Sequence, residues 1–207
     1  MNYCVSILGL AFLLSCNSDP EQQFQKHIKE VTQNVTDETL IHATGTSGDW
    51  ITHGLNYYED RFSGLSQINQ YNTDSLGLVW TLELGTRRGI EATPLVVDGI
   101  MYLTGPWSKV YAVNTITGEM IWSYNPEVPG RFGPNACCDV VNRGVALYEG
   151  SVFVGTIDGR LISIDASTGD PNWQVYTTDT TKYYTITGAP RVVKGKVIIG
   201  NGGAEYG

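Results

Sequence analysis

The sequence predicts an all-β chain that forms the first blades of a β-propeller. Composition is the first observation behind this. Of 207 residues, 24 are Gly and 12 are Tyr, while only 16% are charged, a balance that favours short strands and tight turns over surface helices. The second is an internal repeat. Ala112, Asn114, Thr117, Gly118 and Trp122 are matched 51 positions further on by Ser163, Asp165, Thr168, Gly169 and Trp173, and a repeat of roughly 20–50 residues marks stacked or radial architectures.

Each repeated segment has the same physical content. A strand ends at Asn or Asp, a Thr-Gly pair supplies a side-chain hydrogen bond and a positive φ, and a new strand opens toward a Trp. One Trp per unit acts as a docking element. Ahead of each segment lies a hairpin, at residues 95–103 around Asp98-Gly99 and at 146–155 around Glu149-Gly150, and a third begins at 191–200 around Lys194-Gly195. Each unit is therefore a small antiparallel sheet of about four strands, and complete propellers carry typically about 4–8 such blades. Two whole blades fit. Residues 76–80, which end in Trp80, supply an earlier Trp strand, so the reading is an amino-terminal portion cut inside its third blade.

The start of the chain reads differently. Residues 5–14 are almost unbroken apolar sequence, shorter than the ~20 residues a spanning helix needs, so residues 1–15 are read as an export signal. Leu13, Leu14, Ser15 and Cys16 resemble a bacterial lipobox, in which Cys16 would be lipidated and anchor the protein to a membrane. An ordinary signal with a chance cysteine is the alternative. In both cases the mature protein is exported to the periplasm. Residues 16–38 read as a polar tether carrying at most one short helix, and 39–207 as the truncated propeller. The net charge of −8 argues against nucleic acid as a partner, because phosphate recognition needs clustered Lys and Arg.

Cys4 leaves with the signal, so the folded part keeps only Cys137 and Cys138, which are adjacent. They can pair with each other in an oxidising compartment or remain two reduced, hydrophobe-like core residues; the pair alone favours the second reading.

The Thr-Gly-Trp repeat resembles the tryptophan-docking motif of pyrroloquinoline-quinone (PQQ)-dependent alcohol dehydrogenases, whose fold is an eight-bladed propeller. Non-catalytic exported propellers that serve as assembly scaffolds use similar blades, so the loops must decide between enzyme and scaffold. Four loop segments resemble the enzyme family: one containing Trp50, His53, Gly54, Arg61 and Phe62; residues 89–94; residues 137–144; and residues 185–190 with 200–207. The resemblance implies that Glu91, Arg143 and Thr187 contact the quinone. It also implies that Cys137 and Cys138 form a disulfide stacked on its plane, that Gly203 and Ala204 offer backbone contacts, and that Glu205 ligates calcium or a lanthanide. Some relatives have Ser at the position of Gly202. The activity implied is oxidation of a primary alcohol, with cytochrome c as electron acceptor and haem c possible in a carboxyl-terminal domain. The catalytic base is expected downstream, and no residue of this chain is assigned to it.

Read singly, these residues allow plainer roles. Glu91 can be a solvated loop carboxylate, Arg143 can pair with Asp139 on the surface, and His53 can be a hydrogen-bonded loop residue. The five Trp residues are read as packing residues.

Overall fold

The computed structural model describes residues 19–136 and 138–203. The signal at 1–15, Cys16, Cys137, Ala204 and Glu205 lie outside the described residues. The order is two helices, α1 (Pro20–Gln33) and α2 (Asp37–Ile41), then ten strands: β1 (Leu95–Val97), β2 (Ile100–Thr104), β3 (Val110–Asn114), β4 (Met120–Tyr124), β5 (Ala146–Tyr148), β6 (Ser151–Gly155), β7 (Arg160–Asp165), β8 (Pro171–Tyr176), β9 (Arg191–Val193) and β10 (Lys196–Ile198). They form two four-stranded antiparallel sheets, β1 to β4 and β5 to β8, and a two-stranded sheet of β9 and β10.

The two large sheets repeat in register as well as in order. Tyr102 pairs with Ala112 and Phe153 with Ser163, and each sheet carries a bulge at the same place, between Ala112 and Val113 and between Ser163 and Ile164. The inner strands β3 and β7 are buried along most of their length, as strands covered on both faces should be. At the end of each repeat, Asn114 Oδ1 accepts from the amides of Ile116 and Thr117, and Asp165 Oδ1 from those of Ser167 and Thr168. The side chain thereby closes the turn that the next strand leaves.

Tryptophan docking joins one unit to the next. Trp122 Nε1 donates to the Ala166 carbonyl at 3.0 Å, and its ring covers Gly169, where a Cβ would stand 2.8 Å from ring carbon. Trp80 does the same at Gly118 and donates to the Thr115 carbonyl at 2.9 Å. Both glycines have positive φ, +74° and +80°. Glycine is thus required twice over, for backbone conformation and for close approach.

Two expectations need correction. Residues 76–80 form no strand; Leu78 and Val79 are 82% and 85% exposed, because no strand among the described residues lies alongside to pair with them. The segment 16–38, read as a tether with at most one short helix, contains a 14-residue helix, α1, and a second helix, α2, begins at its end. Asp19 caps α1 by accepting from the Glu21 amide, and Pro20 occupies its first turn, a favoured start. Phe24, Ile28, Val31 and Thr32 give α1 one face turned to the core. Its end is satisfied by the second sheet: Gly150 N donates to the Thr32 carbonyl, and Glu149 N to the Val35 carbonyl just beyond, which uses carbonyls a helix end would otherwise leave orphaned. No helix among the described residues is long and apolar enough to cross a membrane.

The opening loop ties the units together. Trp50 pairs with Val96 of β1. Tyr57 donates to the Val192 carbonyl, and Glu59 meets Arg191 at 2.6 Å, so the same loop reaches the third hairpin.

Candidate functional site

Glu91, Arg143 and Thr187 each lie three or four residues before the first strand of successive units, β1, β5 and β9. Equivalent positions in a radial repeat fall at the same end of each sheet, and here the loops that carry them are hydrogen-bonded to one another. Thr93 N donates to the Arg143 carbonyl at 3.2 Å, and Arg143 N to the Thr187 carbonyl at 2.9 Å. Gly144, with φ 131°, makes this possible: a Cβ there would stand 3.0 Å from the Thr93 carbonyl oxygen.

The side chains converge as well. Arg143 Nη1 donates to Thr187 Oγ1 at 2.9 Å, and its Nη2 meets Glu91 Oε2 at 3.0 Å. The Arg143 and Glu91 side chains are 42% and 43% exposed, so part of the guanidinium stays open to solvent while two neighbours fix its orientation. The surface pair of Arg143 with Asp139 does not form; Asp139 is held by Arg88.

Beneath Arg143 the loop is anchored by Asn142, which is 1% exposed. Its Nδ2 donates to Ser108 Oγ at 3.1 Å and to the Gly155 carbonyl at 2.7 Å. Its Oδ1 accepts from Gly144 N, and its own carbonyl accepts from Thr104 Oγ1. A buried amide with both ends satisfied fixes one conformation. Under the cysteine turn lies a small apolar cluster of Ala136, Val140 and Ile157, flanked by Trp107 and Phe132. Trp107 has φ 62° and its N–H donates to the Val140 carbonyl at 2.8 Å. A bulky residue held in that region signals a constrained site. Cys138 is exposed at this turn.

Gly203 is placed by a two-way bridge between Thr185 and Gly202, with N–H to carbonyl distances of 3.0 and 2.8 Å. Its φ is 92°, and a Cβ would sit 2.3 Å from the Tyr183 carbonyl oxygen. Gly202 differs: a Cβ there meets nothing within 4 Å, so a serine would fit. His53 is not a fully hydrogen-bonded loop residue. Its carbonyl accepts from Trp50 Nε1, but its buried Nδ1 has no hydrogen-bond partner among the described residues, and burial, then Arg191 and Arg61, hold its pKa below the ordinary imidazole value.

Sequence reasoning passed over Arg88 and Asn142, and it read Trp107 only as a packing residue, which its place against the Val140 cluster matches. Arg88 stands three positions before Glu91 and Asp139 four before Arg143, a sign-exchanged pattern that could have suggested their pairing.

Two four-stranded sheets docked by Trp, with a cation, a hydroxyl and a carboxylate drawn together from successive pre-strand loops, define the class: a β-propeller whose loops gather polar groups at one end of its blades. Residues 50–206 match the family described as "PQQ: Glucose/ethanol/alcohol dehydrogenase, beta-propeller domain", and the chain belongs to that family. It is 59% identical over 161 residues to the 1-butanol dehydrogenase (cytochrome c) of Thauera butanivorans, covering 77% of this chain and 23% of that protein. The quinohemoprotein alcohol dehydrogenase structure from Comamonas testosteroni superposes with a TM-score of 0.85 at 50% identity, covering 89% of this chain and 28% of that one. A europium-containing methanol dehydrogenase gives a TM-score of 0.75 at 41% identity, covering 80% and 29%. The chain spans about a quarter of the length of the curated relatives it matches.

Proposed function

We propose that the protein containing this chain oxidises alcohols with bound PQQ and passes the electrons to a cytochrome c. The observation that carries the reading is Arg143, held between Thr187 and Glu91 with part of its guanidinium open. PQQ bears anionic carboxylates and electrophilic carbonyls, so it suits a site with a fixed cation, a neutral hydroxyl and close backbone approach. The described residues fit: Arg143 offers the cation and Thr187 the hydroxyl, and Gly203, buried against the Tyr183 carbonyl, would offer a backbone contact only.

In this reading Glu91, Arg143 and Thr187 bind and orient the quinone. Cys137, outside the described residues, would pair with the exposed Cys138 to supply the flat face; Ala204 and Glu205, also outside them, would supply a backbone contact and a hard oxygen ligand for calcium or a lanthanide. Bound there, PQQ would supply the hydride-accepting chemistry and a metal ion would supply Lewis-acid chemistry. Arg143 would place its cation against the quinone oxygens, Asn142 holds the Arg143 backbone, and the apolar cluster around Val140 underlies the turn at Cys138. Export to the periplasm, lipidation at Cys16 and a haem c domain belong to the same proposal, supported by the signal pattern and by the cytochrome- and haem-linked names of the relatives. Full-length gene product reconstituted with PQQ and calcium should reduce a redox dye when, and only when, an alcohol is added. No turnover with any alcohol would leave a scaffold reading in its place.

A further inference from the structure

Two ion pairs cross between the same two loops with their signs exchanged. Arg88 Nη1 meets Asp139 Oδ1, and three and four residues further along Glu91 Oε2 meets Arg143 Nη2 at 3.0 Å. We propose that Arg88 and Asp139 are positioning residues whose pair holds the 138–143 loop against the 88–91 loop, so that Arg143 and Glu91 stand ready for the quinone. The proposal rests on the PQQ reading above.

The surroundings of the pair support this role. Asp139 has φ 71°, a left-handed conformation that Asp and Asn accept more readily than other side chains; the turn after Cys138 thus has a residue suited to it, and Arg88 grips that residue. The Arg88 guanidinium also lies 5.8 Å from the Trp107 ring centroid, within cation–π range, and the Trp107 N–H is bonded to the Val140 carbonyl. Arg88 therefore touches the turn at Asp139 and again through Trp107. Labour divides between the two pairs. Arg143 and Glu91 must share their polar atoms with a ligand, whereas the Arg88 to Asp139 pair can stay closed while the ligand binds.

Both partners are about half exposed, 49% and 41%, and pairs of this kind add little to global stability. A positioning role and a folding role consequently predict different results. In the full-length protein, Asp139→Asn removes the charge but keeps a residue that accepts the left-handed turn, and Arg88→Met removes the guanidinium while keeping bulk. Each should raise the dissociation constant for added PQQ roughly tenfold, and the double variant should be no weaker than either single one, because the two act as a unit. Arg88→Lys should recover part of the affinity. Tm should move by no more than about 2 °C, and amide exchange over 138–143 should quicken in both variants before any quinone is added. PQQ affinity and exchange unchanged from wild type would overturn the brace while leaving the PQQ reading intact. A fall in Tm that tracks the loss of affinity would overturn it in favour of a folding effect. Wild-type protein that binds no PQQ would overturn the functional reading itself, and the proposal with it.

Discussion

Arg143 meets Thr187 twice: its backbone N–H donates to the Thr187 carbonyl at 2.9 Å, and its Nη1 donates to the Thr187 hydroxyl at 2.9 Å. The first bond sets the distance between two loops and the second aims the guanidinium, so the two can be separated by substitution. Thr187→Val keeps the backbone bond and the side-chain volume while deleting the hydroxyl. The full-length variant should fold normally and bind PQQ about tenfold more weakly, as expected for a hydrogen bond to a charged group. Thr187→Ser should stay near wild type. Quinone titration of the apo-protein measures both.

Tyr102 and Trp122 both donate to the Ala166 carbonyl, at 2.9 and 3.0 Å. Tyr102→Phe leaves that acceptor satisfied by Trp122, so it should cost only about 1 kcal/mol. Phe153 already occupies the equivalent place in the second unit, tilted against Trp173. Trp122→Ala removes the bond and the ring packed on Gly169, and should cost about 3–5 kcal/mol. Denaturant midpoints of the two full-length variants should rank in that order.

Acid should weaken the turn at the second repeat. Burial pushes the Asp165 carboxyl up, but bonds from the Ser167 hydroxyl and the amides of Ser167 and Thr168 outweigh it, leaving the pKa below the ordinary carboxylate value. A carboxylate with a depressed folded pKa adds stability above its unfolded pKa of about 3.9 and loses it as pH falls through the folded value. Asp165→Asn should therefore lower Tm at neutral pH, and the gap to wild type should narrow as pH is taken below about 4. A gap that widens in acid would have the wrong sign.

Neighbouring glycines should respond in opposite ways. Gly202→Ser meets open space and should leave Tm unchanged, whereas Gly203→Ser puts a Cβ 2.3 Å from the Tyr183 carbonyl oxygen at φ 92° and should cost on the order of 1–3 kcal/mol. Thermal melts of the full-length variants decide.

The blades were legible because their signals are local. Asp98-Gly99, Glu149-Gly150 and Lys194-Gly195 each stand inside the hairpin turn they predict, and the Thr-Gly turns with their Trp partners recur at a fixed offset. The meeting of Glu91, Arg143 and Thr187 was not legible in their own neighbourhoods, where nothing says that residues separated by 52 and 44 positions meet; family resemblance only named each of them. Helix α1 escaped because its core face rests on few apolar residues in a polar segment, and its end is satisfied by the distant turn at Gly150. The plainer alternative of an Arg143–Asp139 pair does not form for a related reason: Arg143 is nearer in sequence, but Arg88, 51 residues away, is nearer in space.

The most direct measurement is an equilibrium titration of PQQ into quinone-free, full-length protein with calcium present, comparing wild type with Arg143→Gln and following alcohol-dependent dye reduction in the same samples. Arg143→Gln keeps a polar side chain but removes the cation held between Glu91 and Thr187. The account predicts that wild type binds the quinone and turns over, and that the variant remains folded but loses most of its quinone affinity and its activity. Equal affinity in the two proteins, or no binding by either, would contradict it.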